Sequence, residues 1–258
     1  MLHDVVTILS GGLVGFALGL IGGGGSILAV PLLLYVVGVR DPHVAIGTSA
    51  LAVSLNAFAN LFHHGRAGTV IWACAATFAL AGVFGALAGS TLGKMMNGQH
   101  LLALFALLMV AVGISMLRRR AGGENPTVRM DLAMAPRLVG VGLGAGLLSG
   151  FFGIGGGFLI VPGLVFSTGM PILNAVGSSL LSVGVFGLAT AGNYALSGLV
   201  DWRLAALFIL GGVGGGLIGM RLAVISAKEH GLLVRIFAGV LFAVAGYMLY
   251  RSLGALLG

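Results

Sequence analysis

Two glycine runs are the residues in this chain best placed to do chemistry. Gly22 to Pro31 reads G-G-G-G-S-I-L-A-V-P, and Gly153 to Pro162 reads G-I-G-G-G-F-L-I-V-P, 131 residues further on. Each lies inside a stretch apolar enough to cross a bilayer. In hydrocarbon every backbone N–H and C=O needs a partner, so irregular backbone persists only where protein or a water-filled cavity covers it. Secondary transporters place such breaks at their binding sites, with half-helix N-termini aimed at anionic groups. Ser26-Ile27-Leu28 and Gly157-Phe158-Leu159 would open the second half-helices, where free N–H groups and a positive dipole end suit an anion. Glycine also lets helices pack closely. The recurrence, with Val-Pro following each time, predicts broken helices.

About 23 residues beyond each run comes a hydroxyl pair, Thr48-Ser49 and Ser178-Ser179. The same segments carry a polar stripe. At 100° per residue Ser49, Asn56, Asn60 and His63 fall within about 60°, and Ser179, Ser182, Thr190 and Asn193 within about 80°. Three positions are polar in both copies: Ser49/Ser179, Asn60/Thr190 and His63/Asn193. Such residues either join helices by hydrogen bonds or face a wet cavity beside the breaks. Recurrence on one face favours the cavity. No Asp or Glu falls mid-segment: Asp4, Asp41, Asp201 and Glu229 sit at segment edges, and Glu124 and Asp131 lie between segments. That suits an anion pathway, because a carboxylate would repel the solute. His63 and His64 end one segment, and of the two His63 is in register with the stripe.

Enzyme chemistry fares poorly. The run at Gly22–Gly25 lacks the preceding strand that a dinucleotide site needs, and the G-x-S-x-G elbow is absent. His63-His64 has no carboxylate or cysteine nearby to complete a metal site. Cys74 is the single cysteine, which rules out an internal disulfide. The expectation is therefore no enzyme, no cofactor and no metal.

The elements that must position these residues follow from composition. The chain has 258 residues, is 59% hydrophobic and 7% charged, with a mean hydropathy of +1.14. A soluble domain carries roughly a quarter charged residues, so this is a polytopic membrane protein and all-α. The net charge of +7 does not signal nucleic acid, because the basic residues punctuate the gaps between apolar runs. Met1-Leu2-His3-Asp4 has no Lys or Arg ahead of the first run, which predicts no cleaved signal.

Apolar segments fall at about 5–37, 43–62, 68–93, 100–117, 138–168, 172–196, 200–225 and 231–250, most of them near the ~20 residues of one crossing. The first and fifth are too long for one upright helix. The halves align, with Gly15 and Gly19 matching Gly146 and Gly150. Gly68, Val70 and Trp72 match Gly198, Val200 and Trp202, and Gly82, Gly85 and Gly89 match Gly212, Gly215 and Gly219. This predicts an internal duplication of about four segments per half: residues 1–117, a cytoplasmic linker at 118–137, and residues 138–258. Small residues at the spacing of the third pair predict close helix packing.

Two topologies are open. If each long segment crosses fully, the halves are parallel and basic residues divide eight against five. If each dips and returns, the halves are inverted and the division is nine against four. Both put the linker in the cytoplasm. Arg40, Arg66, Lys94 and Arg203 lie at loop edges, where they are topology signals or draw anions to the mouth.

The chain resembles the sulfite/sulfonate exporter family known as TauE/SafE. The residues that carry the resemblance are G-x-G-G-[GS]-x-L-x-V-P at 22–31 and 153–162, G-T-S and G-S-S at 47–49 and 177–179, and G-x-V-x-W at 68–72 and 198–202. It implies transport of sulfite, a sulfonate or a related organic anion across the bacterial inner membrane. It names no solute. Ser26 stands where the second copy has Gly157, so the two breaks are not chemically identical.

The expectation is a multi-pass inner-membrane carrier with a substrate site between the halves. Gly24, Gly25, Ser26, Gly155, Gly156 and Gly157 would offer backbone N–H groups, and Thr48, Ser49, Ser178 and Ser179 hydroxyls. Asn56, Asn60, His63, Thr190 and Asn193 would line the way in. The partners are a small anionic solute and membrane lipid, with no nucleic acid. The rival readings are a passive anion channel and a non-transporting membrane scaffold.

Overall fold

The computed structural model describes residues 2–118, 131, 134–225 and 230–257, so most of the expected linker lies outside the described residues. The described chain is helical throughout. Helix α1 spans Leu2–Ile21, followed by a 3-10 run at Gly22–Leu28, a short α2 at Ala29–Pro31 and a π-helical turn at Leu32–Val37. Then come α3 (Pro42–Arg66), α4 (Trp72–Met95), α5 (Gly98–Arg118), α6 (Ala135–Phe152), α7 (Gly157–Thr168), α8 (Ile172–Ala195), α9 (Trp202–Ile225) and α10 (His230–Leu257). Among the described residues seven helices are long and apolar enough to cross a membrane, while Gly24–Val37 and Gly157–Thr168 are shorter apolar helices.

Local chemistry sets the boundaries. Asp41 caps α3 by accepting from the His43 N–H at 2.8 Å, with Pro42 at the first helical position. Left-handed Gly38 closes the π turn, and left-handed Gly169 closes α7.

The two long segments do not cross straight through. His3 and Asp4 at the start of α1 line one surface cavity with Gly38 and Val39, beside Asp201, Arg203 and Leu204. The chain thus returns to the end it left, and α1 with residues 22–37 forms a re-entrant hairpin. The α6–α7 pair folds the same way: Gly156 lies against Ser149, and Gly163 against Val141. This second hairpin opens on the opposite end, where Asn174 Nδ2, just past α7, donates to the Thr69 carbonyl beyond the end of α3.

Packing runs in reciprocal pairs. Helix α1 lies along α9, and α6 along α4; α3 crosses α8, α5 packs on α10, and the first 3-10 run meets α7. Glycine makes the first two pairs possible. A Cβ at Gly15 would enter the Gly212 carbonyl, and one at Gly146 the Gly82 carbonyl. The close packing expected of Gly82 and Gly212 is met by glycines on α6 and α1, so the backbones touch.

One end of the molecule gathers His3, Gly38, Asp41, Lys94, Ser197 and Asp201; the other gathers Arg66, Thr69, Ala135 and Asn174. The direction of α3, α4 and α5 across the molecule is the reverse of α8, α9 and α10. Of the two arrangements open from sequence, the hairpins and these directions match the dipping, inverted one.

Candidate transport site

The second break is built from left-handed glycines. Gly153, Gly155 and Gly156 have φ of 67°, 65° and 66°, a region that costs other residues about 1–2 kcal/mol each. Helix α6 ends where the Gly153 N–H reaches the Ser149 carbonyl. Helix α7 starts at Gly157, and its Leu159 and Ile160 N–H groups return to the Gly156 carbonyl at 2.8 and 3.0 Å. Gly155 fills the notch where α3 crosses α8: a Cβ there would stand 3.0 Å from Val183 and 3.2 Å from Val53. Ser49 Oγ of α3 donates to the Ile46 carbonyl at 2.9 Å and lies 3.4 Å from the Gly153 carbonyl.

The first break is different. Gly24, Gly25 and Ser26 belong to a 3-10 run with no left-handed glycine among the described residues. Gly25 packs on the Ala17–Leu18 backbone, and Ser26 is fully buried. The half-helix start expected at Gly157 is present, whereas at Ser26 the chain is already within the 3-10 turn. The two breaks meet, since the 3-10 run packs on α7.

The hydroxyl pairs divide their work. Thr48 Oγ1 accepts from the Asp201 N–H and Ser178 Oγ from the Ile71 N–H, both at 2.9 Å. These bonds tie the starts of α9 and α4 at opposite ends of the molecule. Ser179 Oγ donates to the Val176 carbonyl at 2.7 Å, as Ser49 does to Ile46. An anion taking these two hydroxyl protons must draw them off helix carbonyls.

The stripe is buried and partly unsatisfied. Asn56 is fully buried and neither amide atom has a partner; its side chain occupies the space left by Gly212. Asn60 Nδ2 donates to the Asn56 carbonyl at 2.9 Å and lies over Gly216. Ser182 Oγ and Thr190 Oγ1 are buried without partners, as is Ser149 Oγ beside Gly156. Each such atom forfeits about 1–3 kcal/mol unless water or solute reaches it. Ser54, which the sequence reading passed over, is helix glue: its Oγ donates to the Gly184 carbonyl at 2.6 Å.

Towards the ends, His63 is half-buried and edge-on to Phe62, with ring centres 5.7 Å apart. Asn193 is held in a latch. Lys94 Nζ donates to its carbonyl, to its Oδ1 and to Ser197 Oγ at 2.8–2.9 Å, while Asn193 Nδ2 donates to Ser90 Oγ and Thr91 Oγ1. From sequence Lys94 is a loop-edge charge, a topology signal or a residue that draws anions to the mouth. What marks it is its place one turn beyond Ser90 and Thr91 on the same helix, a pattern without meaning until α8 is set beside it. Among the described residues no three His, Cys, Asp or Glu side chains converge.

Re-entrant hairpins meeting inside a bundle of membrane-length helices define a multi-pass helical membrane transporter. The family model of the sulfite exporter TauE/SafE matches residues 7–248, and the chain belongs to that family. It is 57% identical over 98% of its length, and 97% of the relative's, to a "Probable membrane transporter protein" of Xylella fastidiosa (strain 9a5c). Identity to "Probable membrane transporter protein YunE" of Bacillus subtilis (strain 168) is 27%, covering 96% of this chain and 98% of that one. No solved structure is a significant match to the chain.

Proposed function

We propose that this protein is a secondary carrier for a small anion, sulfite or an organosulfonate, across the bacterial inner membrane. The observation that carries the reading is the Gly153–Gly157 break lodged between Val53 and Val183. The first N–H groups of α7 open there, beside the Ser149 and Ser49 hydroxyls, and no Asp or Glu of the sequence falls mid-segment. The family description supplies the sulfur oxyanion. The substrate site comprises Gly24, Gly25, Ser26, Thr48, Ser49, Gly155, Gly156, Gly157, Ser178 and Ser179, with Asn56, Asn60, His63, Thr190 and Asn193 along the route.

The two sequence halves act as the moving parts, one rocking against the other about the α3–α8 crossing. The Arg66 end is assigned to the cytoplasm by the positive-inside rule, since the inverted reading of the sequence puts nine Lys and Arg on that side against four on the other. Liposomes holding purified protein test the reading: labelled sulfite or methanesulfonate exchanges at carrier rates, and Gly156→Leu abolishes exchange in a folded protein. Unchanged exchange in that variant overturns the site.

A further inference from the structure

The return arms of the two hairpins end differently. Pro31 and Gly38 match Pro162 and Gly169, which aligns Tyr35 with Phe166. The second arm stays α-helical to Thr168 and leaves Phe166 78% exposed. The first winds into a π turn at Leu32–Val37, a rare form found mostly at functional sites. Tyr35, within that turn, is half-buried and meets Tyr247 of α10 edge to face, with ring centres 5.0 Å apart.

Arg251 follows one turn beyond Tyr247 on α10. Its guanidinium carbon stands 5.9 Å from the Tyr35 ring centre and 6.0 Å from that of Tyr247, the outer range of a cation–π contact. The rings therefore orient the cation without using its five N–H donors. Tyr247, Tyr250 and Arg251 are all exposed. Tyrosines at the ends of membrane helices lie at headgroup level, and a long arginine stem carries its charge there too.

The chain has six Asp and Glu, and each is spoken for or out of reach. At this end Asp4 pairs with Arg203, Asp41 caps α3, and Asp201 accepts from the Leu204 N–H. Glu229 immediately precedes α10, so 21 helical residues, about 30 Å, separate His230 from Arg251. Helix α5 leaves this end, where Gly98 touches Pro42, and carries the chain a similar distance away. Glu124 lies six residues past Arg118, and six extended residues span only about 20 Å, too few to return. Asp131 stands just ahead of α6 at the Arg66 end. The counter-charge for Arg251 must come from outside the chain.

We propose that Arg251, framed by Tyr35 and Tyr247, binds the phosphate of an anionic phospholipid in the leaflet at the Gly38 end. The lipid then tacks α10 to the return arm of the first hairpin. A planar guanidinium grips a phosphate through two parallel N–H···O bonds. The site stands whether or not the carrier reading does.

The test uses the full chain in detergent, stripped of lipid, with thermal unfolding titrated against phosphatidylglycerol or phosphatidylcholine in mixed micelles. Wild type should be stabilised by phosphatidylglycerol at a mole fraction about tenfold below that needed of phosphatidylcholine, and Arg251→Gln should lose that advantage. Arg40→Gln removes an exposed charge from the same end and should titrate as wild type. Equal action of phosphatidylglycerol on wild type and Arg251→Gln overturns the proposal, as does equal action of the two lipids on wild type. An Arg40→Gln as weakened as Arg251→Gln would reduce the effect to net charge, which also overturns it. If Arg251→Gln does not fold, Arg251→Lys keeps the charge without the planar fork and should bind phosphatidylglycerol more weakly; a wild-type titration in that variant is equally fatal.

Discussion

Lys94 Nζ lies 2.8 Å from Asn193 Oδ1 and 2.9 Å from the Asn193 carbonyl oxygen, so one ammonium fastens the end of α4 to the last turn of α8. The cation also complements the negative end of the α8 dipole. At the other end the sequence-matched position of Asn193 is His63, which packs on Phe62 instead. The molecule is latched at one mouth. Lys94→Met should release it, with faster hydrogen exchange of the backbone at 190–198 and faster opening of that end. Because Lys94 is partly exposed, the stability loss should stay within about 1 kcal/mol. Unchanged exchange at 190–198 would show the latch to be ornamental.

Two left-handed glycines separate backbone strain from crowding. Gly156 and Gly169 have nearly the same φ, 66° and 69°, but a Cβ at Gly156 meets Ser149 Cβ at 2.6 Å while one at Gly169 meets nothing within 4 Å. Alanine at either site costs about 1–2 kcal/mol for the conformation. Only Gly156→Ala should also displace the Ser149 side of the break and lose transport by tenfold or more. Thermal unfolding paired with liposome flux reads both quantities. Equal flux in the two variants would remove Gly156 from the site.

Much of this architecture was legible because glycine and proline act locally. The Gly-run/Val-Pro repeats marked the hairpins, and Gly157 begins a helix where the spacing placed it. The direction of crossing was not legible, since charge counts of nine against four and eight against five differ by one residue. Only the packed helices bring Gly38 and Val39 to the same surface cavity as His3 and Asp4. The histidines show a second limit. Angular register favoured His63, yet His64 is the buried ring, because the chain after α3 curls back and sets Thr69 against it. A helical projection knows the axis but not the loop that follows. Thr48 and Ser178 likewise each accept an N–H from a loop distant in sequence, Asp201 and Ile71, a bond that no local pattern announces.

The glycine stripes make a graded packing prediction. Gly15 and Gly146 face carbonyls of the neighbouring helix, whereas a Cβ at Gly144 would meet nothing within 4 Å. Gly144→Ala should leave the protein monodisperse and raise its stability by about 0.5–1 kcal/mol through reduced backbone entropy. Gly146→Leu should prevent α6 from lying on α4 and yield little folded protein. Size-exclusion profiles in detergent distinguish them. A well-behaved Gly146→Leu would mean that α4 and α6 can separate, contrary to the backbone contact.

Asn56 gives the sharpest division between stability and function. Its amide is fully buried, unbonded at both polar atoms and pressed into the space of Gly212. A residue kept for the fold would use those atoms, since each one left bare costs about 1–3 kcal/mol. Asn56→Ala removes two unsatisfied atoms and leaves only a small cavity, so its unfolding temperature should match or exceed wild type. If the amide instead serves a passing anion or its water, flux should fall at least tenfold in the same variant. A gain in stability with a loss of transport is the signature of a site maintained against the fold. A loss of both would mean that Asn56 is held by contacts its neighbours need, and the stripe would revert to helix glue.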